Sequence, residues 1–125
     1  MRHLINDLKE KGGFTYSFNR GEHAVAGVSV SMAGSQQKYA KLPTEEDLWD
    51  YVTQWQSRLS WPGNHLGAWY NDADHYYYLD VSTVMNDLDK ALKVGLDNQQ
   101  EAVYDIGAGK EHRISDWLDS WPQIA

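Results

Sequence analysis

The sequence predicts an α+β domain in which hairpins build an antiparallel sheet and helices pack mainly on one face of it. Three observations predict this. Several short segments alternate apolar and polar residues, the two-residue period of a half-buried strand. Turn residues (Gly, Asn, Asp) join these segments in pairs, and links this short connect only antiparallel neighbours. Between the pairs lie segments whose apolar residues recur every three to four positions, the spacing of an amphipathic helix.

Residues 3–11 carry Leu4, Ile5 and Leu8 on one helical face, and Gly12-Gly13 ends the helix because glycine accepts a left-handed stop. Residues 14–18 alternate as a strand, and Asn19-Arg20-Gly21-Glu22 is turn chemistry. Residues 24–32 place Val28, Val30 and Met32 on one side and Ser29 and Ser31 on the other; they are expected to return as the hairpin partner of the first strand. Residues 33–37 form a polar loop, and residues 38–42 a short extended piece. Thr44 can cap the next helix, with Glu45, Glu46 and Asp47 at the positive end of its dipole. Leu48, Tyr51, Val52, Trp55 and Leu59 share its apolar face, so one helix is expected to run to Leu59, where Trp61-Pro62-Gly63-Asn64 closes the segment.

The next two strands are the most informative. Residues 66–71 and 76–81 flank Asp72-Ala73-Asp74-His75. A turn centred on Ala73-Asp74 pairs Tyr70 with Tyr77, Ala68 with Leu79 and Leu66 with Val81 on one face. The other face then carries Trp69 opposite Tyr78 and Gly67 opposite Asp80, with Tyr76 beside them. A two-residue and a four-residue loop give the same register. Ser82 or Thr83 can cap a third helix, with Val84, Leu88, Ala91, Leu92 and Gly95 on one face and Asn98 to Gln100 as its break. Ala91 and Gly95 are small enough to let it lie close to a sheet. Residues 102–106 and 112–114 form a last hairpin around Gly107-Ala108-Gly109-Lys110. Ser115 is expected to cap a terminal turn holding Trp117, Leu118 and Trp121, ended by Pro122. With no linker, repeat or low-complexity stretch, residues 1–125 read as a single domain.

Composition narrows the function classes. A chain of 125 residues can bury one continuous core. It holds no cysteine, which excludes disulfides, thiolate metal sites and cysteine nucleophiles and fits a cytoplasmic setting. The opening residues lack the apolar stretch of a signal peptide, and no window approaches the run of about 18 apolar residues that a membrane helix needs. The expectation is a soluble protein with no membrane partner. A net charge of −7 and eleven scattered Lys and Arg argue against direct nucleic-acid binding. Acidity of this size serves solubility; it also admits an alternative, an acidic DNA mimic or anti-defence inhibitor built from Glu45, Glu46, Asp47, Asp50, Asp72 and Asp74.

Signatures of chemistry are missing. Asp72-Ala73-Asp74-His75 opens like a calcium loop, but Tyr76 takes the third ligand position and Thr83 stands where the closing Glu belongs. The histidines at 3, 23, 65, 75 and 112 show no helical i, i+4 pair. Gly27-Val28-Ser29-Val30-Ser31 lacks the Gly-x-Ser-x-Gly elbow, and no helix follows Gly107-Ala108-Gly109-Lys110 to hold a phosphate. A small enzyme, the third reading, would have to use Asp80, Asp105 or His65. No catalytic residue, metal ligand or cofactor is assigned.

Aromatic content is the outlier. Six Trp and eight Tyr exceed what one small core usually takes, and both residue types are enriched at interfaces. Trp69, Tyr76 and Tyr78 project from the side of the sheet away from the predicted core. With Trp117 and Trp121 they are the candidate partner-binding residues. The sequence leaves open whether the N-terminal segment or the Trp117/Trp121 turn folds over that face.

These segments resemble a family of small uncharacterised proteins encoded by actinobacterial phages, prophages and mobile elements. The shared text is Gly12-Gly13-Phe14-Thr15-Tyr16, Gly27-Val28-Ser29-Val30-Ser31, His65-Leu66-Gly67-Ala68-Trp69-Tyr70-Asn71 and Tyr78-Leu79-Asp80-Val81-Ser82. It continues with Asp89-Lys90-Ala91-Leu92 and Gln99-Gln100-Glu101-Ala102-Val103-Tyr104-Asp105. The likeness covers most of residues 12–106 and leaves out residues 115–125. It implies a setting, the bacterial host cytoplasm, and carries over no functional residues. The expected function is a non-catalytic accessory protein that binds a host, phage or defence protein.

Overall fold

The structure, a computed structural model, describes residues 1–121. In chain order it runs α1 (Arg2–Lys11), β1 (Gly13–Ser17), β2 (Glu22–His23), β3 (Val28–Ser31) and β4 (Gln37–Tyr39). It continues with α2 (Glu45–Gln54), α3 (Gln56–Leu59), β5 (Asn64–Asn71), β6 (Tyr76–Met85) and α4 (Leu88–Asp97), and ends with β7 (Ala102–Asp105), β8 (Lys110–Arg113) and α5 (Ile114–Asp119). The strands make one antiparallel sheet in the order β2-β1-β5-β6-β3-β7-β8, with β4 also paired to β6. The fold class is α+β, as the periodicities predict.

The pairing register decides the faces. Phe14 opposes Ala68, Leu66 opposes Val81, Ala68 opposes Leu79 and Val30 opposes Thr83, so these residues share one side. On that side Leu4, Leu8, Leu48, Tyr51 and Leu59 from α1, α2 and α3 pack on Leu66, Ala68, Leu79 and Val81. Ala91 and Leu92 of α4 and Ile114 of α5 pack on Val28, Val30 and Val103. All five described helices therefore bury their apolar stripes against the same sheet face. Gly95 lets α4 come close: a Cβ there would lie 2.9 Å from Ile114 Cδ1 and 3.0 Å from Val103 Cγ1.

Local chemistry forms the elements as expected at several points. Gly12 adopts φ 81° and its N–H donates to the Leu8 carbonyl, stopping α1. Thr44 and Asp47 close a reciprocal capping box at the start of α2. The β5–β6 hairpin has the predicted register throughout, from Tyr70–Tyr77 to Leu66–Val81. Its tip is held by Asn71 Oδ1 accepting from Ala73 N–H and Asp74 Oδ1 accepting from Tyr76 N–H, each at 2.9 Å.

Five expectations are corrected. Residues 14–18 and 24–32 are not hairpin partners: β1 pairs with β2 and β5, whereas β3 lies between β6 and β7. Alternation specifies which face Val28 and Val30 take but not which strand lies alongside, and β6 offers a longer complementary edge. The segment after Thr83 is strand, not helix: β6 runs on to Met85 because Ser82, Thr83, Val84 and Met85 gain β3 as a partner, and Asp87 rather than Ser82 or Thr83 caps α4. The helix expected to reach Leu59 breaks at Trp55 (φ −104°, ψ 16°) and resumes as α3. The extended piece starts at Gln37 rather than Lys38. Ser115 lies inside α5, whose N-cap is Arg113 without a side-chain bond. The expected stop at Pro122 lies outside the described residues.

One side chain completes the sheet. β3 and β4 share one edge of β6, and between them Val81 N–H donates to Ser35 Oγ (3.1 Å), which in turn donates to the Met32 carbonyl (2.8 Å). Tyr51 Oη secures this bend from the core side by donating to the Ser35 carbonyl (2.6 Å).

Candidate functional site

The face opposite the helices carries the candidate residues. Strand alternation puts Thr15, Gly67, Trp69, Tyr76, Tyr78, Asp80, Ser82 and Ser31 on it, with Lys38 brought alongside Tyr78 by β4. Trp69 and Tyr78 face each other across β5 and β6 with ring centroids 5.2 Å apart and planes 8° from parallel. Lys38 Nζ lies 4.5 Å from the Tyr76 ring centroid and 6.0 Å from that of Tyr78, so its charge sits against both rings. Tyr78 donates its hydroxyl hydrogen to Asp74 at the hairpin tip. That bond holds the Asp74 carboxyl below its usual pKa, with the Tyr76 N–H and Lys38 acting in the same direction. It also raises the Tyr78 phenol. The three rings are half-buried, by one another and by the sheet. Neither α1 nor α5 seals them, since both lie on the other side.

Beside the aromatic row the same face turns polar and closed. Asp80 is only 3% exposed and Ser82 1%. Ser31 donates its hydroxyl to Asp80 Oδ2. Asp80 Oδ1 and Ser82 Oγ have no hydrogen-bond partner among the described residues. Gly67 makes room for this group: a Cβ there would fall 2.1 Å from Asp80 Oδ1 and 3.5 Å from Ser82 Oγ. Burial pushes the Asp80 carboxyl up to about 6, with the Ser31 bond pulling the other way.

The structure separates the residues a small enzyme would combine. Asp105 pairs with Val28, so it faces the helix side, where its Oδ1 accepts from Ala108 N–H (3.1 Å). His65 shares the Asp80 face but donates through Nδ1 to the Gly63 carbonyl (2.9 Å), and burial lowers its pKa. It borders a recess of about 200 Å³ with Ser17, Ala24, Val25 and Ala26, which neither aspartate reaches. Among the described residues no three His, Asp or Glu side chains group to hold a metal ion. Of the acids considered for phosphate mimicry, Asp47 is engaged in the capping box and Asp74 with Tyr78.

The five candidate aromatics fall into two places. Trp69, Tyr76 and Tyr78 form the row just described. Trp117 and Trp121 meet edge to face at 4.9 Å on and just after α5, with Trp121 47% exposed and Trp117 packed on the core under α4. Sequence reasoning missed Lys38 and the Ser31–Asp80 pair, because both depend on which strands flank β6. The one signal within reach was Gly67 opposite Asp80, a missing side chain beside a buried acid. Among the described residues no helix is long and apolar enough to cross a membrane. Comparison with protein-family models, curated proteins and solved structures returns no match.

Proposed function

We propose that this chain is a non-catalytic accessory protein of a phage or mobile element, acting in the host cytoplasm by binding another protein through the Trp69/Tyr76/Tyr78 row. One observation carries the reading: three aromatic side chains and a lysine stand together on the sheet face that no described helix covers. Large aromatic rings with polar handles are the side chains that most often anchor protein interfaces. Tyr78, tied to Asp74, and Lys38, laid on Tyr76, keep the row in one arrangement before any partner arrives, which lowers the ordering cost of binding. The resemblance to phage and mobile-element proteins supplies the setting, a gene product that redirects a host factor.

The test is a Trp69→Ala/Tyr78→Ala double variant, compared with the wild type in affinity purification from the bacterial host followed by mass spectrometry. The expected result is an unchanged circular dichroism spectrum and cooperative unfolding, with loss of a specific co-purifying protein. A double variant that unfolds would assign both rings to the core and end the proposal.

A further inference from the structure

We propose that β8, the strand at one end of the sheet, pairs antiparallel with β8 of a second copy, Glu111 of each chain opposite Arg113 of the other. This surface is separate from the aromatic row, and the proposal does not rest on it.

The strand order ends at β8, so one side of Lys110–Arg113 has no strand neighbour among the described residues. Hydrogen bonding shows which groups are free. Ile114 N–H donates to the Glu101 carbonyl (2.9 Å), and the pairs continue as Ala102–Arg113, Val103–His112, Tyr104–Glu111 and Asp105–Lys110. In an antiparallel ladder hydrogen-bonded pairs alternate. Lys110, His112 and Ile114 therefore turn their backbone groups inward to β7, and Glu111 and Arg113 turn theirs outward. The outward groups repeat at the spacing of a strand and are centred on His112.

Charge selects the occupant. An antiparallel strand about a two-fold axis at His112 sets Glu111 against the second copy's Arg113, and Arg113 against its Glu111. Both side chains are exposed, on the sheet face away from the helices, where they already meet within one chain at 3.5 Å. On the helix side the edge opens into a groove of about 520 Å³ floored by Leu88, Leu92 and Trp117 and bordered by Asp89 and Asp116. The second copy's Lys110 would project toward this groove, a cation toward the carboxylates of Asp89 and Asp116. Charged edges ordinarily discourage strand pairing. Here the order Glu-His-Arg makes the edge complementary to itself in one register, and a two-fold interface needs that property.

The experiment uses charge reversal in the full chain, read by sedimentation velocity and light scattering over a wide concentration range. The wild type should show a concentration-dependent dimer. Glu111→Arg sets Arg against Arg at both symmetric positions, and Arg113→Glu sets Glu against Glu; each should weaken the dimer by about tenfold or more. Mixing the two single variants one to one makes both pairs between positions 111 and 113 opposite in charge, so a heterodimer should form. Thermal melts of each variant establish that it is folded. A wild type that stays monomeric at all concentrations, single variants that dimerise as the wild type does, or a mixture that stays monomeric would each overturn the proposal.

Discussion

Replacing Asp80 with asparagine should stabilise the protein at neutral and alkaline pH and change little in acid. The carboxyl is buried on the sheet face away from the helices, it accepts one described hydrogen bond, and its pKa stands at about 6 against an ordinary 3.8. That difference of about two units corresponds to about 3 kcal/mol, at about 1.4 kcal/mol per unit. The sign follows from which state holds the proton more tightly. Folding raises the pKa, so the unfolded chain loses its proton first. The stability this group allows is whole below about pH 4 and is lost as pH rises through about 6. Asparagine keeps an oxygen for the Ser31 hydroxyl and carries no charge to desolvate. Urea unfolding of both proteins from about pH 4.5 to about pH 8, taken as the difference between them, cancels the other titrating groups. Over that range the difference should grow by about 2 kcal/mol in favour of the variant, the rest having already been lost below about pH 4.5. A flat difference, or a variant less stable than the wild type at the alkaline end, would mean that the ionised carboxylate is compensated in the fold and would refute the reasoning.

The other predictions concern packing and capping. Gly67→Ala should cost about 1–3 kcal/mol by driving a methyl group into Asp80 Oδ1, and the cost should shrink in an Asp80→Ala background. Four thermal melts measure that coupling, and an undiminished cost would show that the carboxylate does not lie over Gly67. Thr44→Ala removes the bond from Asp47 N–H and should lower stability by about 1 kcal/mol. Adding Asp47→Ala should then cost less than it does alone, because the two residues make one box; simple additivity in denaturant unfolding would contradict this.

The candidate site was legible where its geometry is local. The β5–β6 hairpin could be aligned from Asn71 to Tyr76 because a turn of either two or four residues leaves the same pairs opposed, so Trp69 and Tyr78 had to share a face. Lys38 was beyond reach: β4 is three residues long, polar and joined to its neighbour only through β6. The burial of Asp80 was equally hidden, since a carboxylate in an alternating strand reads as a solvent position until Ser31 is known to lie beside it. Trp117 and Trp121 were identified as a pair, but only the packing of α5 on the helix side separates them from the row on the other face.

By itself the sequence determined the periodicities, the glycine stop at Gly12, the Thr44 cap and the faces of β5 and β6, because each depends on residues close together along the chain. Tertiary structure decided that β3 leaves β1 for the far side of β6 and that β6 runs on to Met85 instead of yielding to a helix. Strand alternation is blind to the identity of the neighbouring strand. Choosing that neighbour is a competition among all available edges for hydrogen bonds and apolar cover, and only the folded chain settles it.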